Sequence, residues 1–214
     1  MQRKSLALLC LAFVLGISGC KLVKNNPDAA KEIAADASGD DARNAARLEE
    51  TFDAKLIPHI NSTAQPLETL VSKLDDGLDA AGQAFGVRGS AAGSAWNFAV
   101  TVSGTVIEAK LDTRARTAGL DTDGDGTTDA IIQLGPVVKG TVLRDIAPFY
   151  NFDDFRDQIE YAKLARALNT HAIGLVEVPE DNLVGKTMTA TGVIALRSPT
   201  GKILVTPIAL DVSP

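Results

Sequence analysis

The chain has 214 residues, of which 45% are hydrophobic and 5% aromatic, with two cysteines, two histidines and a formal net charge of −6. This length predicts one domain with room for an appendage. The acidic balance argues against nucleic acid as a partner, because such binding depends on lysine and arginine neutralising phosphates. Two cysteines and two histidines are too few for a disulfide framework or a zinc site built from them.

The first twenty residues have the pattern of an export signal. Arg3 and Lys4 precede an apolar run that falls short of the roughly 20 residues needed to span a membrane. Ile17-Ser18-Gly19-Cys20 resembles the bacterial lipobox, in which the cysteine is acylated and becomes the new N-terminus, although Ile replaces the usual Leu. The alternatives are an ordinary secretory signal and an uncleaved anchor. The lipobox interpretation is favoured.

Cleavage before Cys20 determines the chemistry of the mature chain. Cys10 leaves with the signal and Cys20 is acylated, so we expect no free thiol, no disulfide and a charge of −8. Several acyl chains hold a protein stably on a membrane. Lys21 stands where an Asp marks inner-membrane retention in enterobacteria, which slightly favours the outer membrane. We therefore expect a lipid-anchored envelope protein that faces the periplasm.

Four regions are expected along the chain: a signal peptide at 1–19, a lipidated tether at 20–41, a helical segment at 42–86 and a barrel domain at 87–214.

Apolar residues recur at helical spacing in the helical segment. The first stripe consists of Leu48, Phe52 and Leu56, and Pro58 is expected to end this helix. A second helix is expected from Pro66 to Phe85. The two stripes could form a groove for a partner or lie over the core of the main domain, and the second interpretation is favoured.

From Trp96 the spacing of apolar residues changes from the helical period to a period of two residues, which predicts a strand to Ala109. A further strand is expected before Asp121. The later elements are a strand at 130–134 with a continuation at 137–142, a helix capped by Asn151 that runs to 176, and a closing hairpin of 187–196 and 202–210. A helix between the third and fourth strands predicts an α+β fold, an OB-like five-stranded barrel. A small α+β sandwich is the alternative.

An acidic segment has the spacing of a calcium loop. Carboxylates occupy positions 1, 3, 5 and 9, a glycine occupies position 6, and a carbonyl at position 7 could add a ligand; these residues are Asp121, Asp123, Asp125, Asp129, Gly126 and Thr127. Position 12 is Ile132, so the segment is not an EF-hand. It resembles the calcium loop of integrin-type propeller repeats, present here in one copy. The alternative is an acidic turn without an ion, and any calcium affinity is expected at roughly 0.1–1 mM.

The sequence contains no recognisable catalytic motif, so we expect a protein that is not an enzyme. His59 and His171 are expected to have surface or packing roles. Arg144 and Asp145 could form a local ion pair or face a ligand, and Asn169 on the following helix could join them.

Short motifs along the mature chain carry a family resemblance. They are Cys20-Lys21, Trp96-Asn97-Phe98, Asp121 to Asp129, Gln133 to Val137, Gly140 to Asp145, Phe152, Phe155, Gln158-Ile159-Glu160, Leu168-Asn169, Gly185-Lys186 and Lys202 to Pro207. From Cys20 to Leu210 the chain resembles an uncharacterised family of predicted bacterial periplasmic lipoproteins, often encoded beside sugar ABC transporters. The resemblance implies a lipid-anchored envelope protein, accessory to carbohydrate uptake, with no established activity.

Two functional hypotheses remain open at this point. The first is a non-catalytic binding or accessory module beside ABC transporter components. The second is a small-sugar receptor or enzyme with a pocket near Arg144, Asp145 and Asn169.

Overall fold

The computed structural model describes residues 33–89, 93–179 and 182–214. In chain order the elements are a 3-10 turn (Ala37–Gly39), α1 (Asp40–Thr51), a π-helical turn (Phe52–Leu56), α2 (Ile57–Thr63), β1 (Gln65–Pro66), α3 (Leu67–Leu74), α4 (Leu78–Phe85), β2 (Gly86–Arg88), β3 (Trp96–Lys110), β4 (Ala115–Asp121), β5 (Ala130–Pro136), α5 (Val142–Asp145), a second 3-10 turn (Phe152–Asp154), α6 (Gln158–Leu175), β6 (Thr187–Leu196) and β7 (Ile203–Ser213).

Five of the strands close into a barrel. Their order is β3–β4–β5–β7–β6, and β3 pairs again with β6 to complete the circle. The β5 and β7 strands run parallel, while the other neighbours in the barrel are antiparallel. Because α6 lies between the third and fourth barrel strands, this is the topology of an OB fold. The expected OB-like barrel is confirmed.

The alternating side chains of β3 divide between two apolar clusters. Phe98, Val100 and Val102 join side chains from all five barrel strands and from α3 and α4 in the first cluster. Ala99 points the other way and joins a second cluster built from α1, the π turn, α2, α5 and α6. Successive side chains of a strand point to opposite faces, so one strand serves both clusters. The apolar stripes of the N-terminal helices therefore lie over the core of the barrel domain.

Pro58 does not end the first helix, contrary to expectation. A proline inside an α-helix removes one hydrogen bond and clashes with the carbonyl four residues earlier. Here the turn just before it is π-helical, with the Ile57 N–H bonded to the Phe52 carbonyl, and α2 continues to Thr63. The wider π turn accommodates the proline, and Phe52 and Leu56 within it are buried in the core.

Three further boundaries differ from those expected. The second helix is divided at Gly77, whose φ of +105° no other residue type adopts readily. The strand β5 ends at Pro136, residues 137–141 form a loop in place of the expected continuation, and the short helix α5 begins at Val142. The long helix is capped by Asp157 and not by Asn151, because the Asp157 carboxylate accepts hydrogen bonds from the two N–H groups at the start of α6.

A buried ion-pair network joins α1 to α6. One oxygen of Glu160 accepts hydrogen bonds from Arg43 Nε at 2.8 Å and Arg47 Nη1 at 3.0 Å, and the other accepts from the Arg156 N–H at 2.8 Å. The Asp40 carboxylate, also buried, pairs with Arg43 and Arg156. Burial alone would raise the pKa of Glu160, but these donors outweigh it and hold the pKa at about 2.

Candidate functional site

A cleft of about 980 Å³ opens beside α5. Its walls come from elements that are distant in sequence: the end of β2, α5, the second 3-10 turn, the first turns of α6 and the β6–β7 turn. Arg144 and Asp145, the two residues singled out in the sequence, both line it. The size falls within the range of small-molecule sites.

Arg144 and Asp145 form an ion pair within the wall of this cleft. The Nε and Nη2 atoms of Arg144 lie 2.8 and 2.6 Å from Asp145 Oδ1, and Thr141 Oγ1 donates to Asp145 Oδ2 at 2.5 Å. The remaining Arg144 Nη1 donates to the Tyr161 carbonyl, while the guanidinium lies 3.7 Å from the centre of the Tyr161 ring. Most hydrogen-bonding positions of Arg144 are thus filled by the protein.

Asn169 supports the cleft from behind. Its Nδ2 donates to the carbonyl of Gly140 at 2.9 Å, and Gly140 lines the cleft in the left-handed backbone region, with a φ of +92°. The Asn169 side chain is buried, and its Oδ1 has no hydrogen-bond partner among the described residues. Its contact with the cleft therefore runs through the Gly140 backbone.

Three further cations line the cleft, none of which the sequence analysis named as a site residue. Arg88, Arg197 and Lys202 join Arg144, whereas Asp145 is the one acidic side chain among the described lining residues. Arg197 and Lys202 flank the β6–β7 turn, which joins the fourth and fifth barrel strands, and OB folds use this loop for ligands. The sequence signal that could have identified Arg197 and Lys202 is their position on either side of the turn residues Ser198-Pro199-Thr200-Gly201.

Aromatic residues also line the cleft. Tyr161, Phe152 and Tyr150 all line it. The Phe152 ring is 49% exposed and meets the Tyr161 ring edge-on with 5.5 Å between centroids. An exposed aromatic ring in such a position can pack against the apolar face of a ligand.

The Asp121–Asp129 loop lies apart from this cleft, between β4 and β5. Asp121 accepts hydrogen bonds from the Gly124 N–H at 2.7 Å and the Gly126 N–H at 2.9 Å, and both glycines have a φ of +84°. The bond from Gly124 is the main reason that the pKa of Asp121 lies below its ordinary value. Asp129 closes the loop by accepting from Thr122.

The carboxylates of this loop converge only in part. One oxygen each from Asp121, Asp123 and Asp129 lies within 4.8 Å of the others. Asp125 bonds instead to the N–H and hydroxyl of Thr127, both at 2.7 Å, and is outside that group. A carboxylate has about four lone-pair sites, so oxygens that already accept an N–H retain capacity for a hard cation. The three converging carboxylates could supply three of the roughly six to eight oxygens that Ca²⁺ takes, whereas the sequence spacing also included Asp125 and the Thr127 carbonyl.

The two histidines contact packed groups. His59 Nε2 lies 3.1 Å from the Ile146 carbonyl oxygen, and the His171 ring meets the Phe52 ring edge-on at 4.5 Å. These contacts are those expected of packing residues.

Comparisons with known proteins agree with the barrel and the export signal. The sequence profile of a family described as predicted periplasmic lipoprotein (DUF2291) matches residues 10–211. A crystal structure of an OB-fold protein from Thermotoga maritima MSB8 superposes with a TM-score of 0.57 at 15% identity, over 81% of this chain and 96% of that one. No curated protein matches the sequence. At this identity the structural likeness shows the fold alone.

Cys20 lies outside the described residues. Within 33–89, 93–179 and 182–214, no helix has both the length and the apolar character needed to cross a membrane. Because the family profile covers most of the sequence, the chain belongs to the DUF2291 family of predicted periplasmic lipoproteins and is an envelope protein that faces the periplasm.

Proposed function

We propose that this protein is a lipid-anchored, non-catalytic module that binds a small sugar in the cleft beside Arg144 and Asp145, as an accessory to carbohydrate uptake. The observation that carries the proposal is the cleft itself, because its volume and its mixed aromatic and polar walls suit a small ligand. No histidine is among its described lining residues, and the Asp145 carboxylate is occupied by Arg144 and Thr141. The described walls thus offer hydrogen-bonding groups and aromatic rings to a ligand.

The protein contains its own reporter for this cleft. Trp96 is the single tryptophan, and the guanidinium of Arg88, which lines the cleft, lies 4.5 Å from the centre of its ring. A ligand that contacts Arg88 should change the environment of the indole and therefore its fluorescence.

The proposal is tested by titrating the full chain, purified in detergent, with galactose, glucose and their acidic derivatives. We expect a saturable change in tryptophan fluorescence that weakens in Phe152→Ala. Ile159→Ala is the matched control, because Ile159 is exposed and does not line the cleft. Absence of saturation for every sugar, or equal loss in both variants, would count against the proposal.

A link to an ABC transporter and an outer-membrane location are further parts of this proposal. In-cell crosslinking followed by purification should recover a transporter subunit, and density-gradient separation should place the protein with outer-membrane markers. Recovery of the protein alone, or its presence in the inner-membrane fraction, would remove the corresponding part.

We also propose that Ca²⁺ binds the Asp121–Asp129 loop. The supporting observation is the convergence of the Asp121, Asp123 and Asp129 carboxylates. With an affinity of roughly 0.1–1 mM, about 5 mM Ca²⁺ should stabilise the fold by about 1–2 kcal/mol. The melting temperature should then rise by about 2–8 °C.

The calcium effect should disappear in Asp123→Asn. It should persist in Asp112→Asn, which removes the same charge from an exposed position outside the loop. A melting temperature that does not respond to Ca²⁺, or one that responds equally in both variants, would contradict the site.

A further inference from the structure

We propose that the cleft selects an anionic ligand, a small sugar that carries a carboxylate or a phosphate. This inference rests on the proposed function, because it specifies the ligand class of the same cleft. Four cationic side chains and one acidic side chain line it among the described residues, in a chain whose net charge is −6. A local excess of positive charge on an acidic protein requires an explanation beyond composition.

Only some of these cations are neutralised by the protein. Arg144 is paired with Asp145 at 2.6 Å and belongs to the wall. Arg88 has an acidic partner, Asp79, at 3.3 Å, but both side chains are exposed and such a pair is weak. The positive charge of Arg88 is therefore available to a ligand.

The β6–β7 turn carries the other two cations of the cleft, Arg197 and Lys202. Arg197 donates to the carbonyl of Gly93, which is a neutral acceptor, and its other donors have no partner among the described residues. Lys202 at the other end of the turn is exposed and forms no close salt bridge within 33–89, 93–179 and 182–214, and its charge is the least of the causes that lower the pKa of Glu108. Two side chains on one turn can thus donate to the same anionic group.

Strand register brings Arg88 to the same wall. Arg88 pairs with Trp96 across β2 and β3, and Trp96 pairs with Leu196 across β3 and β6, so Arg88 and Leu196 flank one residue. Adjacent strands lie about 4.8 Å apart, which places the backbones of Arg88 and Leu196 about 10 Å apart. Arg197 follows Leu196 directly. The register therefore brings the backbones of β2 and of the turn to the same side of the cleft, while the Arg88 side chain shares the face of Trp96 and Leu196.

Aromatic side chains line the same cleft. One face of the Tyr161 ring is covered by Arg144, while the neighbouring Phe152 ring is exposed at the rim. A ligand that contacts both the cations and the exposed Phe152 ring needs a negative group and a face of C–H groups. Sugar acids and sugar phosphates combine these two features, whereas a neutral sugar leaves the cations without a partner.

The test compares acidic sugars with their neutral parents in the full chain in detergent, using tryptophan fluorescence and calorimetry. The pairs are galacturonate with galactose and glucose 6-phosphate with glucose, and inorganic phosphate is added as a third probe. We expect at least one acid to bind about tenfold or more tightly than its parent, and its affinity to fall as salt rises. Inorganic phosphate should bind more weakly than glucose 6-phosphate, because it lacks the ring.

Single neutral substitutions identify the cations involved. Arg197→Gln and Lys202→Gln should each weaken binding of the acidic sugar by about tenfold, equivalent to about 1.4 kcal/mol. Lys55→Gln is the matched control, because Lys55 is exposed and lies outside the cleft. Unchanged melting temperatures would show that the variants remain folded.

The outcomes separate this inference from the function on which it rests. Equal affinity for acidic and neutral sugars, or full affinity in both cation variants, overturns the anionic preference and leaves sugar binding intact. Phosphate that binds as tightly as glucose 6-phosphate overturns the role of the sugar ring. If no sugar binds, the proposed function and this inference both fail.

Discussion

Replacing Glu160 by glutamine should weaken the attachment of α1 to α6. Both carboxylate oxygens of Glu160 act as acceptors, one for Arg43 and Arg47 and the other for the Arg156 N–H. A glutamine has the same shape but only one acceptor oxygen. In either orientation its NH₂ group therefore faces an N–H donor, and the arginines lose their negative partner.

The pKa of Glu160 limits the size of this effect. A pKa of about 2 in place of 4.5 corresponds to at most about 3 kcal/mol. The Arg43 and Arg47 side chains are 20% and 28% exposed, so solvent screens part of the attraction. We therefore expect Glu160→Gln to lower the free energy of unfolding by about 2 kcal/mol at neutral pH.

The loss should depend on pH in a defined direction. A carboxylate whose pKa is depressed by folding contributes its full stabilisation above its unfolded value of about 4.5, and the contribution disappears as the pH falls towards about 2. The difference between wild type and Glu160→Gln should shrink across this window.

Urea unfolding of the full chain at several pH values measures this difference. The urea concentration at the unfolding midpoint should fall. The slope of the unfolding free energy against urea concentration should stay constant, because the surface exposed on unfolding is unchanged. Glu50→Gln is the control, since the Glu50 carboxylate is exposed and pairs with Lys55 at 3.3 Å, and the substitution should change stability by less than about 0.5 kcal/mol. A Glu160→Gln protein as stable as wild type, or a difference independent of pH, would refute the assignment of the network.

Replacing either of two helical glycines by alanine should change the stability of the fold in opposite directions, and a separate prediction concerns the lipid anchor at Cys20. In Gly82→Ala the new Cβ would lie 2.3 Å from the Trp96 ring, so thermal unfolding should show a loss of about 1–3 kcal/mol, whereas Gly174→Ala meets nothing within 4 Å and should gain about 0.4–1 kcal/mol. Destabilisation of both to the same extent would contradict this packing. Cys20→Ser should abolish palmitate labelling and release the exported protein from the membrane fraction, and retention of the label would place the acyl group elsewhere.

Features that depend on neighbouring residues could be predicted from the sequence. The charged, apolar and lipobox segments of the first twenty residues predicted the export signal, and the family profile agrees. The period of two after Trp96 and the turn before Lys202 predicted the long strand and the closing hairpin of the barrel. The same rules failed at Pro58, because a π turn just before it accommodates the ring.

Only part of the cleft could be predicted from local sequence patterns. Arg144 and Asp145 are adjacent in sequence, so their ion pair is a local feature that could be anticipated. Arg88 and Arg197 are more than a hundred residues apart, and no local pattern connects them. Both line the cleft because β3 pairs with β2 on one side and with β6 on the other. The sequence by itself thus determined where the protein is sent and which segments form strands, while only the pairing of distant strands decided which charges share a cleft.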